Sequence, residues 1–354
     1  MKQFKPHNQI VMQLLLLILG LSIVVQPLFA DSRFGSLTHI KDPEMQGLPG
    51  QWVRPHPGPF IWGRIETSPG KYKWKQSDKV VETSQQRNQT ILATVWPYAD
   101  WEQESCGRKK VRSPFGRRFP SHLSKPCSME AYLEFLKKLL DRYDGNGQND
   151  MPGLLKPIRY WEIMNEPELD MFFSGSQKDF ADIFIASSRL IRSLQSDAVI
   201  VMAGAAGMFR ESERYWDNIL PTLNAHFDIA TVHHIPSPDG RCERDLWVGK
   251  FKKLLDKHMM QKPIWVTEAQ PTARCGVVRS YISAFSKGAD IIFDVGVRAP
   301  GNRMSANDRA NLNTLMAEYD DFESVTIQNP GQFFLNLTTV QLKSGLESFP
   351  QTIS

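Results

Sequence analysis

The chain has 354 residues, 41% of them apolar and 23% charged, with a formal net charge of +4. That length suits one large domain with a substantial core, which sets aside a fibrous or disordered chain. Residues 1–30 carry Lys2 and Lys5 and no acid, so their loss lowers the charge by two, too near neutral to argue for nucleic acid.

In chain order, those two lysines precede an apolar run from Ile10 to Val25, and Leu28-Phe29-Ala30 offers a cleavage point before Asp31. This is the layout of a secretory signal peptide, so residues 1–30 are expected to be removed and the protein to be secreted or periplasmic. An uncleaved N-terminal anchor is the alternative, disfavoured because the run is short for a spanning helix. No later segment is long and apolar enough for stable membrane insertion.

Eight short apolar segments follow, at 34–40, 51–56, 90–96, 158–164, 198–203, 227–233, 263–267 and 289–295. They read as strands. Amphipathic stretches at 77–87, 129–143, 180–195, 245–259 and 311–319 read as helices between them, with Tyr132, Leu133, Leu136, Leu139 and Leu140 at helical spacing. Strand–helix alternation indicates a parallel sheet, and eight strands over residues 31–320 fit a (β/α)8 barrel of the α/β class. No Gly-rich phosphate loop of the GxGxxG or GxxxxGK[ST] type follows a strand. Residues 321–354 break the repeat, and short strands at 323–328, 332–337 and 338–343 would make a small β appendage.

The barrel places its active site at the C-terminal ends of the strands. By this count Glu166 ends strand four and Glu268 ends strand seven, while Arg54 and His56 belong to strand two. Trp96 ends strand three and His233-His234 end strand six, so the polar and aromatic residues gather at one face. An acid at the end of an apolar strand needs a reason, and two of them supply the paired carboxyls that cleave a glycosidic bond. Burial or a neighbouring negative charge would keep one protonated, while an arginine would keep the other ionised. A structural ion pair is the plainer reading of either Glu alone.

The segment Trp161-Glu162-Ile163-Met164-Asn165-Glu166-Pro167, with Ile264-Trp265-Val266-Thr267-Glu268 a hundred residues on, resembles the clan A glycoside hydrolases. The resemblance implies a retaining enzyme in which Glu166 is the acid/base, Glu268 the nucleophile and Asn165 the ligand of the sugar 2-hydroxyl. Arg54 matches the clan's strand-two arginine near the nucleophile. Phe60-Ile61-Trp62-Gly63-Arg64-Ile65-Glu66, then Gly70-Lys71-Tyr72-Lys73-Trp74, is similar to the early segment of family 39 and family 42 type enzymes. The resemblance runs from about residue 50 to residue 300. Two positions depart from it. Ile235 stands where His-His-Tyr-Pro would place a tyrosine on the nucleophile, leaving that contact to His233 or His234. The strand-eight segment 290–295 lacks the tryptophan that floors the sugar site.

Trp96 and Trp101, just after strand three, are candidate stacking platforms for sugar rings, with packing under a loop as the equal alternative. His56 is a candidate hydroxyl ligand. Glu162 is expected to pair with a buried base. Its parity opposes that of Asn165, so Asn165 and Glu166 reach one pocket only if the strand end bends.

Four cysteines suit an oxidising compartment, and Cys106–Cys127 with Cys242–Cys275 is the favoured pairing of three. Between Cys106 and Cys127 lie Arg108, Lys109, Lys110, Arg112, Arg117, Arg118 and Lys125, with no acid. Such a loop either attracts uronic-acid or sulfated sugars or is a solvated, disulfide-pinned loop. No cysteine or histidine spacing calls for a metal, and no cofactor is expected.

The sequence therefore reads as an exported glycoside hydrolase that cleaves β-linked oligo- or polysaccharide through a covalent glycosyl-enzyme. The alternatives are a transglycosylase of the same fold and a non-catalytic carbohydrate-binding barrel.

Overall fold

A computed structural model describes residues 32–38, 52–111, 119–235, 243–271, 276–295, 310–313, 315, 322–329 and 332–337. The barrel strands are β1 (Phe34–Thr38), β2 (Trp52–Pro55), β5 (Thr90–Val95), β6 (Tyr160–Ile163), β7 (Val199–Val201), β8 (Ala230–His234), β9 (Ile264–Ala269) and β10 (Ala289–Asp294). β3 (Glu66–Ser68) and β4 (Lys71–Tyr72) form a separate antiparallel hairpin. The barrel pairs are all parallel, in the order β7-β6-β5-β2-β1-β10-β9-β8. Bridges Val201↔Ile229 and Ala205↔Val232 join β7 to β8 and close the ring. The chain is a (β/α)8 barrel, and each of the eight expected segments overlaps its strand, with β8 and β9 running one and two residues past the expected ends.

The helices are α1 (Trp62–Ile65), α2 (Lys75–Gln86), α3 (Asp100–Ser105), α4 (Met129–Tyr143), α5 (Gln177–Leu194), α6 (Arg210–Leu223), α7 (Val248–Lys257) and α8 (Val277–Ser286). Two of them start at a side-chain cap. Ser128 caps α4 by accepting from Ala131 N, and Ser176 with Asp179 forms a capping box on α5. The long helices bury one stripe each, as with Tyr132, Phe135, Leu136, Leu139 and Leu140 of α4. Sequence patterning missed the short α1 and α3, and also α6, which contains Pro221, and α8. It also missed the β3–β4 hairpin. None of the described helices is long and apolar enough to cross a membrane.

Of the appendage, β11 (Phe322–Asn329) and β12 (Gln332–Leu337) pair antiparallel. The third strand expected at 338–343 lies outside the described residues, as do residues 1–30 and most of the helix expected at 311–319.

The barrel interior is layered. Trp52, Tyr160, Trp265 and Phe293 pack together at the N-terminal end, with Trp52–Tyr160 centroids 4.7 Å apart and Trp52–Trp265 5.0 Å apart. Two residues further along the same strands come Arg54, Glu162 and Thr267, a polar layer on an aromatic plug. Gly35 leaves room for the plug, since a Cβ there would lie 2.5 Å from the Phe293 ring. This aromatic plug lies on the N-terminal side of the polar layer.

Candidate active site

Arg54 organises the polar layer. It is completely buried, and its guanidinium donates to three partners on two other strands. Nε reaches Glu162 Oε2 at 2.7 Å, Nη1 reaches Glu268 Oε1 at 2.7 Å, and Nη2 reaches Asn165 Oδ1 at 2.6 Å. Thr94 of β5 adds a hydroxyl donor to Glu162 Oε2 at 2.6 Å. Glu162 is therefore the structural counter-charge expected for a buried base. His56 stands at the rim of this group, its Nδ1 3.3 Å from Arg54 Nη1 and 3.6 Å from Glu268 Oε1.

The parity conflict at the end of β6 is resolved by the backbone. Met164 and Glu166 have φ of +67° and +43°, in the left-handed region that L-residues seldom occupy. Two such turns flank Asn165, so Asn165 and Glu166 both enter the barrel mouth. Backbone bonds Met164 N to Val95 O (2.9 Å) and Glu166 N to Gly204 O (3.0 Å) hold the bend against both neighbouring barrel segments.

β9 solves the same problem with a bulge. Its register to β8 runs Val232↔Val266 and then His233↔Glu268, leaving Thr267 as an extra residue. The register to β10 slips at the same place, from Ile292↔Val266 to Asp294↔Ala269. Such an insertion re-aims side chains beside functional sites. Here it lets Thr267 and Glu268 contribute to one cluster.

His233 bridges the two ends. Its Nδ1 lies 2.6 Å from Glu166 Oε1 and 3.7 Å from Glu268 Oε1, and its Nε2 lies 2.9 Å from Thr267 Oγ1. One oxygen of each glutamate and a ring nitrogen of His233 all fall within 4.8 Å of one another. That donor set is one a cation could use, but Glu268 Oε1 is already engaged by the Arg54 guanidinium, which opposes a second positive charge there.

The two carboxyls differ electrostatically. Burial, with repulsion from Glu162, pushes Glu166 up to about 8 against the pull of Arg54. Burial raises Glu268 also, with the Arg54 guanidinium opposing it, and Glu268 alone of the pair accepts a guanidinium hydrogen bond. Glu166 is thus held protonated near pH 7, while the guanidinium bond favours the carboxylate form of Glu268. Burial lowers His233 to about 4, so the imidazole is neutral near pH 7.

The structure brings together Arg54, His56, Asn165, Glu166, His233 and Glu268. His234 follows His233 with the opposite strand parity. Trp96 is completely buried, with Phe119 4.8 Å away and His56 5.9 Å away, so it is a wall behind His56 and not an open platform. Trp101 donates its indole N–H to Glu66 O at 2.8 Å, packs edge-on against Trp62 and stays partly exposed. Sequence reasoning missed Thr94, Thr267 and Gly204. The run Ala203-Gly204-Ala205-Ala206 was the available signal for the last, as a stretch with almost no side-chain volume.

Gly204 makes a sharp prediction. A Cβ there would lie 1.9 Å from His233 Nε2 and 2.5 Å from both ring carbons beside it. Gly204→Ala is expected to drive the imidazole off Glu166 and Thr267, at a stability cost of about 1–3 kcal/mol. A melting curve unchanged from the parent would refute this placement of His233.

Cys106 and Cys127 form the expected disulfide, and Cys242–Cys275 lies outside the described residues. In the basic loop Lys110 pairs with Glu104 at 3.0 Å and Lys125 with Asp182 at 2.6 Å, so two of its seven cations are locally neutralised. Arg112, Arg117 and Arg118 lie outside the described residues.

No family model matches the sequence, and no curated protein matches it. Solved structures match the fold. A beta-galactosidase from Marinomonas ef1 aligns over 81% of this chain and 59% of its own, at 14% identity and a TM-score of 0.56. A GH39 enzyme from Xanthomonas axonopodis pv. citri aligns over 75% of this chain and 58% of its own, at 17% identity and 0.50. An endo-beta-1,4-mannanase from Thermotoga petrophila aligns over 83% and 79%, at 13% identity and 0.54. The chain thus spans under two thirds of the length of the first two. The resemblance read from the sequence and the likeness of these structures converge on one architecture: the chain shares the (β/α)8-barrel fold of these enzymes.

Proposed function

We propose that the chain is a retaining glycoside hydrolase acting on β-linked oligo- or polysaccharide. The observation that carries the reading is the short gap between Glu166 and Glu268, whose nearest oxygens lie within 4.8 Å at the mouth of the barrel. Retention needs carboxyls about 5–5.5 Å apart, whereas inversion needs about 6.5–9.5 Å to admit a water between them. In this reading Glu166 protonates the leaving oxygen while Glu268 attacks the anomeric carbon, forming a glycosyl ester. Glu166 as carboxylate then takes a proton from water, which attacks the same carbon and releases Glu268. Asn165 Nδ2 is buried and has no hydrogen-bond partner, which suits a donor kept for a sugar hydroxyl. Residues 1–30 act as a signal peptide that directs export, and the disulfide suits an oxidising compartment.

The direct test is intact-protein mass spectrometry after incubation with 2-deoxy-2-fluoro glycosides carrying good leaving groups. The fluorine slows both steps, while the leaving group lets the first proceed, so the ester accumulates. The expected result is a glycosyl increment on the peptide containing Glu268, absent from Glu268→Gln. Glycan binding with no adduct and no hydrolysis would favour a carbohydrate-binding barrel instead.

A further inference from the structure

Thr267 takes no part in the chemistry above, yet it occupies the extra position of the β9 bulge and spends its hydroxyl on His233. Both His233 and Thr267 are completely buried, so each ring nitrogen depends on the protein for its partner. A neutral imidazole donates from one nitrogen and accepts at the other. The His233 Nδ1–Glu166 Oε1 contact is 2.6 Å, and Glu166 must serve both as acid and as carboxylate during double displacement. Only the Nδ1–H tautomer donates to Oε1 in both states. The other tautomer would set a nitrogen lone pair against the carboxylate at that distance. With the proton on Nδ1, Nε2 needs a donor, and Thr267 Oγ1 stands 2.9 Å from it.

Resting on the retaining-hydrolase reading, we propose that Thr267 is a positioning residue. It holds His233 as the Nδ1–H tautomer, so that the proton of Glu166 is confined to Oε2, the oxygen left to face the leaving group. In the first step the Oε2–H bond breaks and the proton passes to the leaving oxygen. That oxygen keeps the electron pair of the cleaved C–O bond as the Glu268 carboxylate forms its ester. In the second step a water proton goes to Oε2, the water oxygen bonds to the anomeric carbon, and the ester electron pair returns to Glu268. The His233 hydrogen bond to Oε1 persists throughout, and no proton crosses the ring. The other charged groups facing His233 are Glu268 at 3.7 Å, with Arg54 and Glu162 acting at longer range, and none supplies a donor to Nε2. Gly204 beneath the ring keeps it in register with both partners.

The test pairs a spectroscopic readout with kinetics on the full chain. Nitrogen-15 NMR of the imidazoles, with the His233 signal assigned by its loss in His233→Asn, reads the tautomer directly. The parent is expected to show Nδ1–H, and Thr267→Val to shift toward Nε2–H, with Thr267→Ser restoring the parent signal. An Nε2–H parent overturns the proposal whether or not the chain hydrolyses glycosides. The absence of hydrolysis, by contrast, would count against the retaining reading and leave the tautomer result standing. In kcat/KM, Thr267→Val should lose about 10- to 100-fold on alkyl glycosides, which need acid assistance, and under about twofold on dinitrophenyl glycosides, which do not. Equal losses on both substrates would reduce Thr267 to a packing role.

Discussion

Arg54→Met is expected to lower the unfolding free energy by about 3–5 kcal/mol at pH 7, because it strands buried carboxyls without their counter-charge. Glu162 is completely buried and Glu268 nearly so, and both accept from this one guanidinium at 2.7 Å. Methionine fills much of the volume and so keeps packing loss small. What remains is desolvated charge, and the folded protein can relieve it only by protonating the stranded groups. Glu268, already raised by burial, then loses the guanidinium that opposes the shift and is raised further. A group raised in this way contributes stability that is present at low pH and lost as pH rises through the folded value. The deficit of Arg54→Met should therefore be larger at pH 7 than at pH 4. Urea denaturation at the two pH values checks it, and a deficit that is equal at both, or below about 1 kcal/mol, would sink the account. Arg54→Lys should recover only part of the loss, since an ammonium cannot reproduce the fork that reaches Glu162, Glu268 and Asn165 together.

The barrel was legible because its signals are local and repeated. Eight apolar runs at strand length, separated by helical stripes, leave few architectures open. The two glutamates were legible because an acid closing an apolar strand is out of character in a core. The devices that make them one site were not. A bulge at Thr267 and left-handed φ values at Met164 and Glu166 involve residues with no special turn chemistry, and the ladder partners that impose them are distant in sequence. Trp96 misled for a related reason. It follows a strand at the site's end of the barrel, but whether its ring face stays open depends on Phe119, which sequence position does not reveal. Ile235 illustrates the converse. The tyrosine expected there is absent, and His233, two residues earlier, bonds Glu166 instead and stands 3.7 Å from Glu268.

Glu166→Gln should remove general acid catalysis and change how stability depends on pH. On glycosides with poor leaving groups the loss is expected at about 10²–10⁴-fold, because protonation of the departing oxygen then falls to water. In the parent, a proton held to about 8 on Glu166 predicts an alkaline limb of kcat/KM near that pH, and Glu166→Gln should lack it. The same shift acts on folding. Glu166 is raised in the folded state, so its contribution is full below its unfolded value and drains away as pH rises toward 8. Glu168, pushed to about 7 by burial, has the same sign over a lower range. His233 has the opposite sign: held near 4 by burial, it costs stability as pH falls below its unfolded value of about 6.5. The histidine and glutamate effects oppose each other between about 4.5 and 6.5 and leave Glu166 most visible from about 6.5 to 8. Urea midpoints should decline across that upper window in the parent and decline less steeply in Glu166→Gln, where Glu168 and Glu268 remain raised, with Glu168→Gln keeping more of the decline than Glu166→Gln. A parent midpoint that rises between pH 6.5 and 8 would mean that Glu166 is ionised in the folded protein. The assignment of acid to Glu166 and nucleophile to Glu268 would then have to be reversed or abandoned.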